Sequence, residues 1–159
     1  EETVRIQLLW NTPIILGSST TLRETMKNFD LKELPTNAGI YMFYRQMKNG
    51  SQEVLYVGQT TNIRSRMKDH FNSLKLVEWL EDTQQGSKML VFADIKTRGD
   101  LAYALNQAEK SLIQHFSDNE HPLLNMKLMP DRFDEIESIF TENDAIDVLN
   151  DTFYAYSVK

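Results

Sequence analysis

The chain has 159 residues, no cysteine and a net charge of −6, with a sequence pI ≈ 5.1. That length suits one domain with its own hydrophobic core. The missing cysteines exclude a disulfide scaffold and thiolate metal sites, and no apolar run approaches the ~20 residues of a membrane span. The acidic start EETVRIQLLW lacks the basic region of a signal peptide, so the expectation is a soluble intracellular protein, cytoplasmic or in a nucleoid or nucleus, with no membrane partner. Charge is spread unevenly. Residues 34–75 carry six Lys/Arg against Glu53 and Asp69, whereas residues 131–159 carry two basic and eight acidic groups.

In chain order, residues 4–10 alternate enough for a strand, which Thr12-Pro13 interrupts, and residues 14–16 form a second apolar run stopped by Gly17-Ser18-Ser19. Thr21-Leu22-Arg23-Glu24 reads as a capping box opening a short helix to about Phe29. No chemistry falls in residues 1–36, which are expected as an N-terminal extension packed on the core.

A β-hairpin follows. Ile40, Met42 and Tyr44 alternate with Tyr41, Phe43 and Arg45, and residues 54–58 are a second β-branched and aromatic run. Asn49-Gly50 between them is a strong hairpin signal. With those two at the centre of a type I′ turn, Arg45 faces Val54, Phe43 faces Tyr56 and Tyr41 faces Gly58. Tyr41, Phe43, Tyr56 and Gly58 then share one face, and the bare Gly58 would let a ligand reach the backbone. Thr61 or Asn62 caps a helix whose Ile63, Met67, His70, Phe71 and Leu74 form one stripe, with Arg66 at its edge.

Val77, Trp79 and Leu80 suggest a further helical segment ending near Gln85-Gly86, and residues 89–95 read as a third strand. Residues 101–116 are the clearest helix, with Leu101, Leu105, Ala108, Leu112, Ile113 and Phe116 on one stripe. Glu109 lies inside that stripe. A carboxylate buried alone costs several kcal/mol, so it should meet a metal, an arginine or a hydrogen-bond donor. Each remaining polar residue also has a plain structural use: the tyrosines as amphipathic strand residues, Arg66 paired with Asp69 or Asp94, Arg64 solvated, His70 a satisfied core histidine. His115 and His121 read as structural or exposed. No HExxH spacing and no G-x-x-x-x-G-K loop is present, which removes zinc-protease and NTPase readings.

Gly39-Ile40-Tyr41, Tyr56-Val57-Gly58, then Arg66 and His70 on the following helix resemble the signature of the GIY-YIG nuclease family. The resemblance covers roughly residues 37–127. It implies an α/β (α+β) domain with a small antiparallel three-stranded central sheet flanked by helices, between the N-terminal extension and an acidic, helical C-terminal extension at 128–159. In the family a glutamate on a helix after the third strand holds one divalent cation, and Glu109 matches it. Asn125 in Pro122-Leu123-Leu124-Asn125 matches a family asparagine that shapes the site by hydrogen bonding. Gln59 stands where the family's repair branch has a lysine.

The implied activity is hydrolysis of DNA phosphodiester bonds, with RNA left open, using one Mg²⁺ or Mn²⁺ on Glu109. Arg66 would neutralise charge on the phosphate, and a tyrosine would take the proton of the attacking water. Tyr41 and Tyr56 are both open for that role, with Tyr56 ranked ahead because it directly precedes Val57-Gly58. His70 would orient the base or touch phosphate, and Gly58, Gln59, Arg64 and Lys68 would line the nucleic acid. The alternative is a catalytically silent GIY-YIG-like module that binds nucleic acid or protein. The acidic C-terminal segment, with Ile136, Ile139, Phe140, Ile146, Leu149 and Phe153 among its acids, would pack through one helical face and offer a protein-partner surface.

Overall fold

The structure, a computed structural model, describes residues 5–82 and 85–123 together with the backbone of two strands at 134–140 and 152–155. In chain order the elements are β1 (Arg5–Trp10), β2 (Ile14–Gly17), α1 (Leu22–Asn28), a 3-10 turn (Leu31–Glu33), β3 (Gly39–Gln46) and β4 (Gln52–Thr60). Then come α2 (Ile63–Phe71), α3 (Leu74–Asp82), β5 (Ser87–Thr97), α4 (Leu101–Asp118), β6 (Asp134–Phe140) and β7 (Thr152–Ala155). Among the described residues no helix is long and apolar enough to cross a membrane.

The sheet is larger than the expected three strands. Its order is β4-β3-β5-β1-β6-β7, with β2 also paired to β5, so seven strands are described. The expected trio β4, β3 and β5 is its antiparallel heart. Both extensions enlarge it. β1 and β2 run antiparallel along β5, broken where Pro13 cannot donate a ladder hydrogen bond. β6 lies parallel to β1, and β7 closes that edge. The helical expectation for the C-terminal segment is therefore corrected over these two strands. Ile136, Ile139 and Phe140 suit a helical stripe, but Glu135-Ile136-Glu137 alternates at the strand period, and pairing to β1 decides between the two.

Two apolar cores sandwich the sheet. Ile40, Met42, Tyr44, Val54, Val57 and Val91 meet α4 on one face. On the other, Tyr41, Phe43, Leu55 and Leu90 meet α1, α2 and α3 through Met26, Met67 and Leu80. Alternation along β3 thus sends Tyr41 and Phe43 to the α2 side and Ile40 and Met42 to the α4 side.

Local details differ from the sequence expectation in instructive ways. The hairpin loop is longer than a two-residue type I′ turn: Gly50 N donates to the Met47 carbonyl (3.0 Å) and Met47 N to the Ser51 carbonyl (2.8 Å). Gln46 pairs with Gln52 and Arg45 with Glu53, one position off the expected register. An irregularity between Phe43 and Tyr44 then restores it, so Phe43 does face Tyr56 and Tyr41 does face Gly58. The capping box does not form. Thr21 makes no side-chain cap bond to α1; its hydroxyl accepts from Ser18 N instead (3.0 Å). Leu74 leaves the α2 stripe, opens α3 and is 59% exposed, and Leu101 is exposed at the start of α4.

Candidate active site

α2 is fixed to the sheet by backbone groups. Its free N-terminal amides are satisfied by the Asn37 carbonyl (from Ile63 N, 3.1 Å), the Pro35 carbonyl (from Arg64 N, 2.9 Å) and the cap Asn62 Oδ1 (from Ser65 N, 3.0 Å). Arg64 completes the clamp, its guanidinium donating to the carbonyls of Leu34 (2.9 Å) and Lys32 (3.1 Å). Those donors are engaged with the segment before β3, which gives Arg64 a structural place beside its expected one as a nucleic-acid contact. Lys68 is exposed on α2.

Two glycines permit the close packing. A Cβ on Gly39 would lie 2.2 Å from the Ala93 carbonyl oxygen of β5, with the Ile63 side chain at 3.4 Å. A Cβ on Gly58 would lie 2.3 Å from the Tyr41 ring and hydroxyl. The space a side chain would take at Gly58 is therefore filled by the Tyr41 ring.

Over Gly58 the α2 side carries a closed aromatic cluster. The Tyr41 and Tyr56 rings stack with centroids 6.1 Å apart, and His70 stands edge-on to Tyr41, Phe43 and Tyr56. Tyr41 is 1% exposed and His70 8%, whereas Tyr56 is half-buried and Arg66 exposed. The Tyr41 hydroxyl is 2.6 Å from His70 Nε2 and accepts a bond from Arg66 Nε at 3.2 Å. The Tyr41 oxygen therefore serves two partners at once, accepting from Arg66 and sharing a short hydrogen bond with the imidazole, whose direction follows the His70 tautomer. Burial first, then the Arg66 charge, lowers the His70 pKa to about 4, so the ring is neutral at pH 7. Burial raises the Tyr41 phenol far above its ordinary range despite the Arg66 hydrogen bond. Arg66, held above its usual value by Tyr41 first and then by Tyr56, is a permanent cation beside both hydroxyls.

On the other side of β4, α4 presents Glu109. Asp100 caps the helix by accepting from Tyr103 N (2.8 Å), and the apolar stripe seats it on the α4-side core. Glu109 is half-buried, and Gln59 Nε2 donates to its Oε1 at 3.2 Å. The same nitrogen reaches Asn106 Oδ1 at 3.4 Å. Burial raises the Glu109 pKa, opposed by the side-chain and backbone amides of Gln59 and by the charges of Arg66 and Lys110. β4 is the edge strand, so the groups on its two faces lie at one border of the sheet. A partly desolvated carboxylate held by amide donors fits a single hard cation, which would supply the charge that burial makes it lack. Among the described residues no three His, Cys, Asp or Glu side chains cluster as a metal site.

Of the expected site residues, Tyr41, Tyr56, Gly58, Arg66 and His70 gather on the α2 side and Gln59 and Glu109 on the α4 side. Asn125 lies outside the described residues. The proposed Arg66 pairing with Asp69 or Asp94 is not among the described ion pairs, and Asp94 instead accepts from Asn37. His121 is structural, its Nδ1 accepting from Val54 N at 2.8 Å. Sequence reasoning missed Asn106. Its signal was spacing: three residues before Glu109, it falls on the same helix face. It also missed Lys88, which is buried and donates to Ser19 Oγ (3.1 Å) at the far end of β5.

A family model described as the GIY-YIG catalytic domain matches residues 37–121. The UvrABC system protein C of Campylobacter jejuni (strain RM1221) is 28% identical over 122 residues, covering 70% of this chain and 18% of that protein. The UvrABC system protein C of Bdellovibrio bacteriovorus is 38% identical over 45 residues, 28% of this chain and 6% of that protein. The chain spans less than a fifth of the length of these curated relatives. No solved structure matches. The glycines that let Tyr41 lie against Gly58, the Arg66–Tyr41–His70 chain and the Glu109 helix all fall within the matched span, and the chain belongs to the GIY-YIG family.

Proposed function

We propose that this chain is a divalent-metal-dependent endonuclease that hydrolyses DNA phosphodiester bonds. The observation that carries the reading is the convergence of an exposed guanidinium, a half-buried phenol and a half-buried carboxylate around β4. Membership of the GIY-YIG family supports a nuclease-type activity, and the UvrABC similarity supports DNA as the substrate.

Tyr56 is the general base. The Tyr41 hydroxyl is committed to both His70 and Arg66 and is held protonated by burial, so it positions these partners and takes no proton from water. The Tyr56 hydroxyl is the accessible phenol, and a phenol needs adjacent positive charge to act near neutral pH. Arg66 supplies it. The Arg66 guanidinium is exposed, and its planar fork of donors suits the non-bridging oxygens of a phosphate as negative charge grows on them. His70, neutral, shares a hydrogen bond with the Tyr41 hydroxyl and thereby orients the phenol that holds Arg66. Glu109 would hold one Mg²⁺ or Mn²⁺, which when bound acts as a Lewis acid toward the phosphate and stabilises the leaving oxygen.

The test is incubation with supercoiled and linear DNA in Mg²⁺, Mn²⁺ or EDTA, with Glu109→Gln beside the wild type. Nicking that needs metal and disappears in folded Glu109→Gln is the expected result. Retention of DNA with no strand cleavage under any metal would make the chain a binding module instead.

A further inference from the structure

Gln59 Nε2 stands where two oxygens converge: Glu109 Oε1 at 3.2 Å and Asn106 Oδ1 at 3.4 Å. Both lie at or beyond the long end of ordinary N–H···O bonds, roughly 2.7–3.2 Å. The carboxylate has a second tie, the Gln59 backbone amide, which favours its charged form independently of the side chain. Asn106 and Glu109 are three residues apart on α4 and so project from one face. The side-chain amide is thus a neutral donor shared loosely between one charged and one neutral oxygen.

We propose that Asn106 Oδ1 and, after a half-turn of its amide, Gln59 Oε1 join Glu109 as ligands of one hard divalent cation. The inference rests on the reading of Glu109 as the metal carrier and names what completes the seat. Carboxamide oxygens are ordinary ligands of hard cations, and the set contains no nitrogen or sulfur donor that would favour softer metals. The terminal torsion of Gln is broad and roughly two-fold, so the half-turn needs no backbone movement. Charge also favours the arrangement. Two neutral oxygens raise affinity without adding anions, so a divalent ion on one carboxylate keeps a net positive charge toward a phosphate. A second carboxylate would bind the ion more tightly and cancel that charge.

The experiment measures Mn²⁺ binding to the full chain without DNA, by the loss of the free-ion paramagnetic resonance signal and by calorimetry. The wild type is expected to bind one ion, and Glu109→Gln to lose it. Asn106→Leu and Gln59→Leu should each weaken binding about tenfold or more, the scale of losing a supporting ligand. Asn106→Asp, which places a charged oxygen at the same point, should tighten it. A structural role for Asn106 would not produce that gain. If the Leu variants and Asn106→Asp all bind like the wild type while Glu109→Gln does not, the amide ligands are wrong and the Glu109 seat survives. If Glu109→Gln also binds normally, the metal reading fails together with this one. Thermal melts of each variant separate lost ligands from lost fold, and Asn106→Asp decides the matter even if a Leu variant melts early.

Discussion

The two sides of β4 are built to different tolerances. On the α2 side the polar groups are locked: Tyr41 is held at 2.6 Å by His70 and at 3.2 Å by Arg66, inside a ring of aromatic edges. On the α4 side one amide nitrogen is shared between two oxygens, at 3.2 and 3.4 Å, outside any such ring. Tyr56 and Gln59 are three residues apart on one strand, so alternation sends them to opposite faces and lets one edge strand serve both. The lesson is a division of labour. Groups that must hold a fixed geometry are packed into the core, and groups that await a ligand are left with an amide that can turn.

The sharpest way to break that division is to remove each hydroxyl in turn. Tyr56→Phe should lower the cleavage rate by about 10²–10⁴, the usual scale of a lost general base. Tyr41→Phe should cost less in rate but destabilise the fold, because it strands the buried His70 Nε2 without its partner. Single-turnover cleavage and urea denaturation of both variants read this directly. A larger rate loss in Tyr41→Phe would move the base into the locked cluster and overturn the division.

How much of this was legible follows the same line. The α2-side cluster could be read from residue types because its chemistry sits at fixed strand and helix spacing: Tyr41 opposite Gly58, and Arg66 four before His70. The register survived a wrong turn type only because the irregularity at Phe43/Tyr44 offset the longer loop, a cancellation no local pattern announces. The structural place of Arg64 was not legible, since its partners, the Leu34 and Lys32 carbonyls, are backbone atoms about thirty residues away. Strands β6 and β7 were missed because Ile136, Ile139 and Phe140 satisfy the helical spacing too, and the tie is broken only by a partner strand from the opposite end of the chain.

A second prediction concerns acid. His70 is faced by Tyr41, Tyr56, Phe43 and the Arg66 guanidinium, with Asp69 beside it on α2. Its pKa of about 4 in the folded chain lies below the ordinary 6.5. Below pH 6.5 the unfolded chain therefore takes up a proton that the folded chain refuses. The stability this provides is complete above pH 6.5 and declines as pH falls toward 4, by on the order of 3 kcal/mol. His70→Gln should flatten the fall, measured by urea denaturation at intervals across that window. An equally steep fall in the variant would assign the acid sensitivity to other groups.

Gly58→Ala tests the locked side by volume. The added Cβ would meet the Tyr41 ring at 2.3 Å, and that ring is stacked on Tyr56. Overpacking of this kind costs about 1–3 kcal/mol, and here it should also turn Tyr41 away from His70. Mn²⁺ binding on the α4 side should remain within about twofold of wild type, since supporting-ligand losses are tenfold or more. Loss of cation binding in folded Gly58→Ala would show that the two sides are coupled.

The smallest effect is expected from the acidic C-terminal segment. β6 is four strands from β4 in the sheet order, roughly 19 Å at the usual interstrand spacing. At physiological salt the Debye length is about 8 Å, and at 0.01 M about 30 Å. Its acids should therefore repel DNA phosphates bound near β4 only when salt is low. Truncation is a poor test, because β6 is the parallel partner of β1 from Arg5↔Glu135 to Trp10↔Phe140. Removing it would expose the edge of β1 and change the fold along with the charge. Asp134→Asn, Glu135→Gln and Glu137→Gln together keep the strand and remove three charges. Non-specific DNA affinity should rise several-fold at about 0.01 M salt and stay within about twofold at 0.15 M, because screening cuts off beyond the Debye length. A large gain at 0.15 M would mean that the bound DNA itself extends across the sheet to β6, and the substrate footprint would then include the far edge as well as β4.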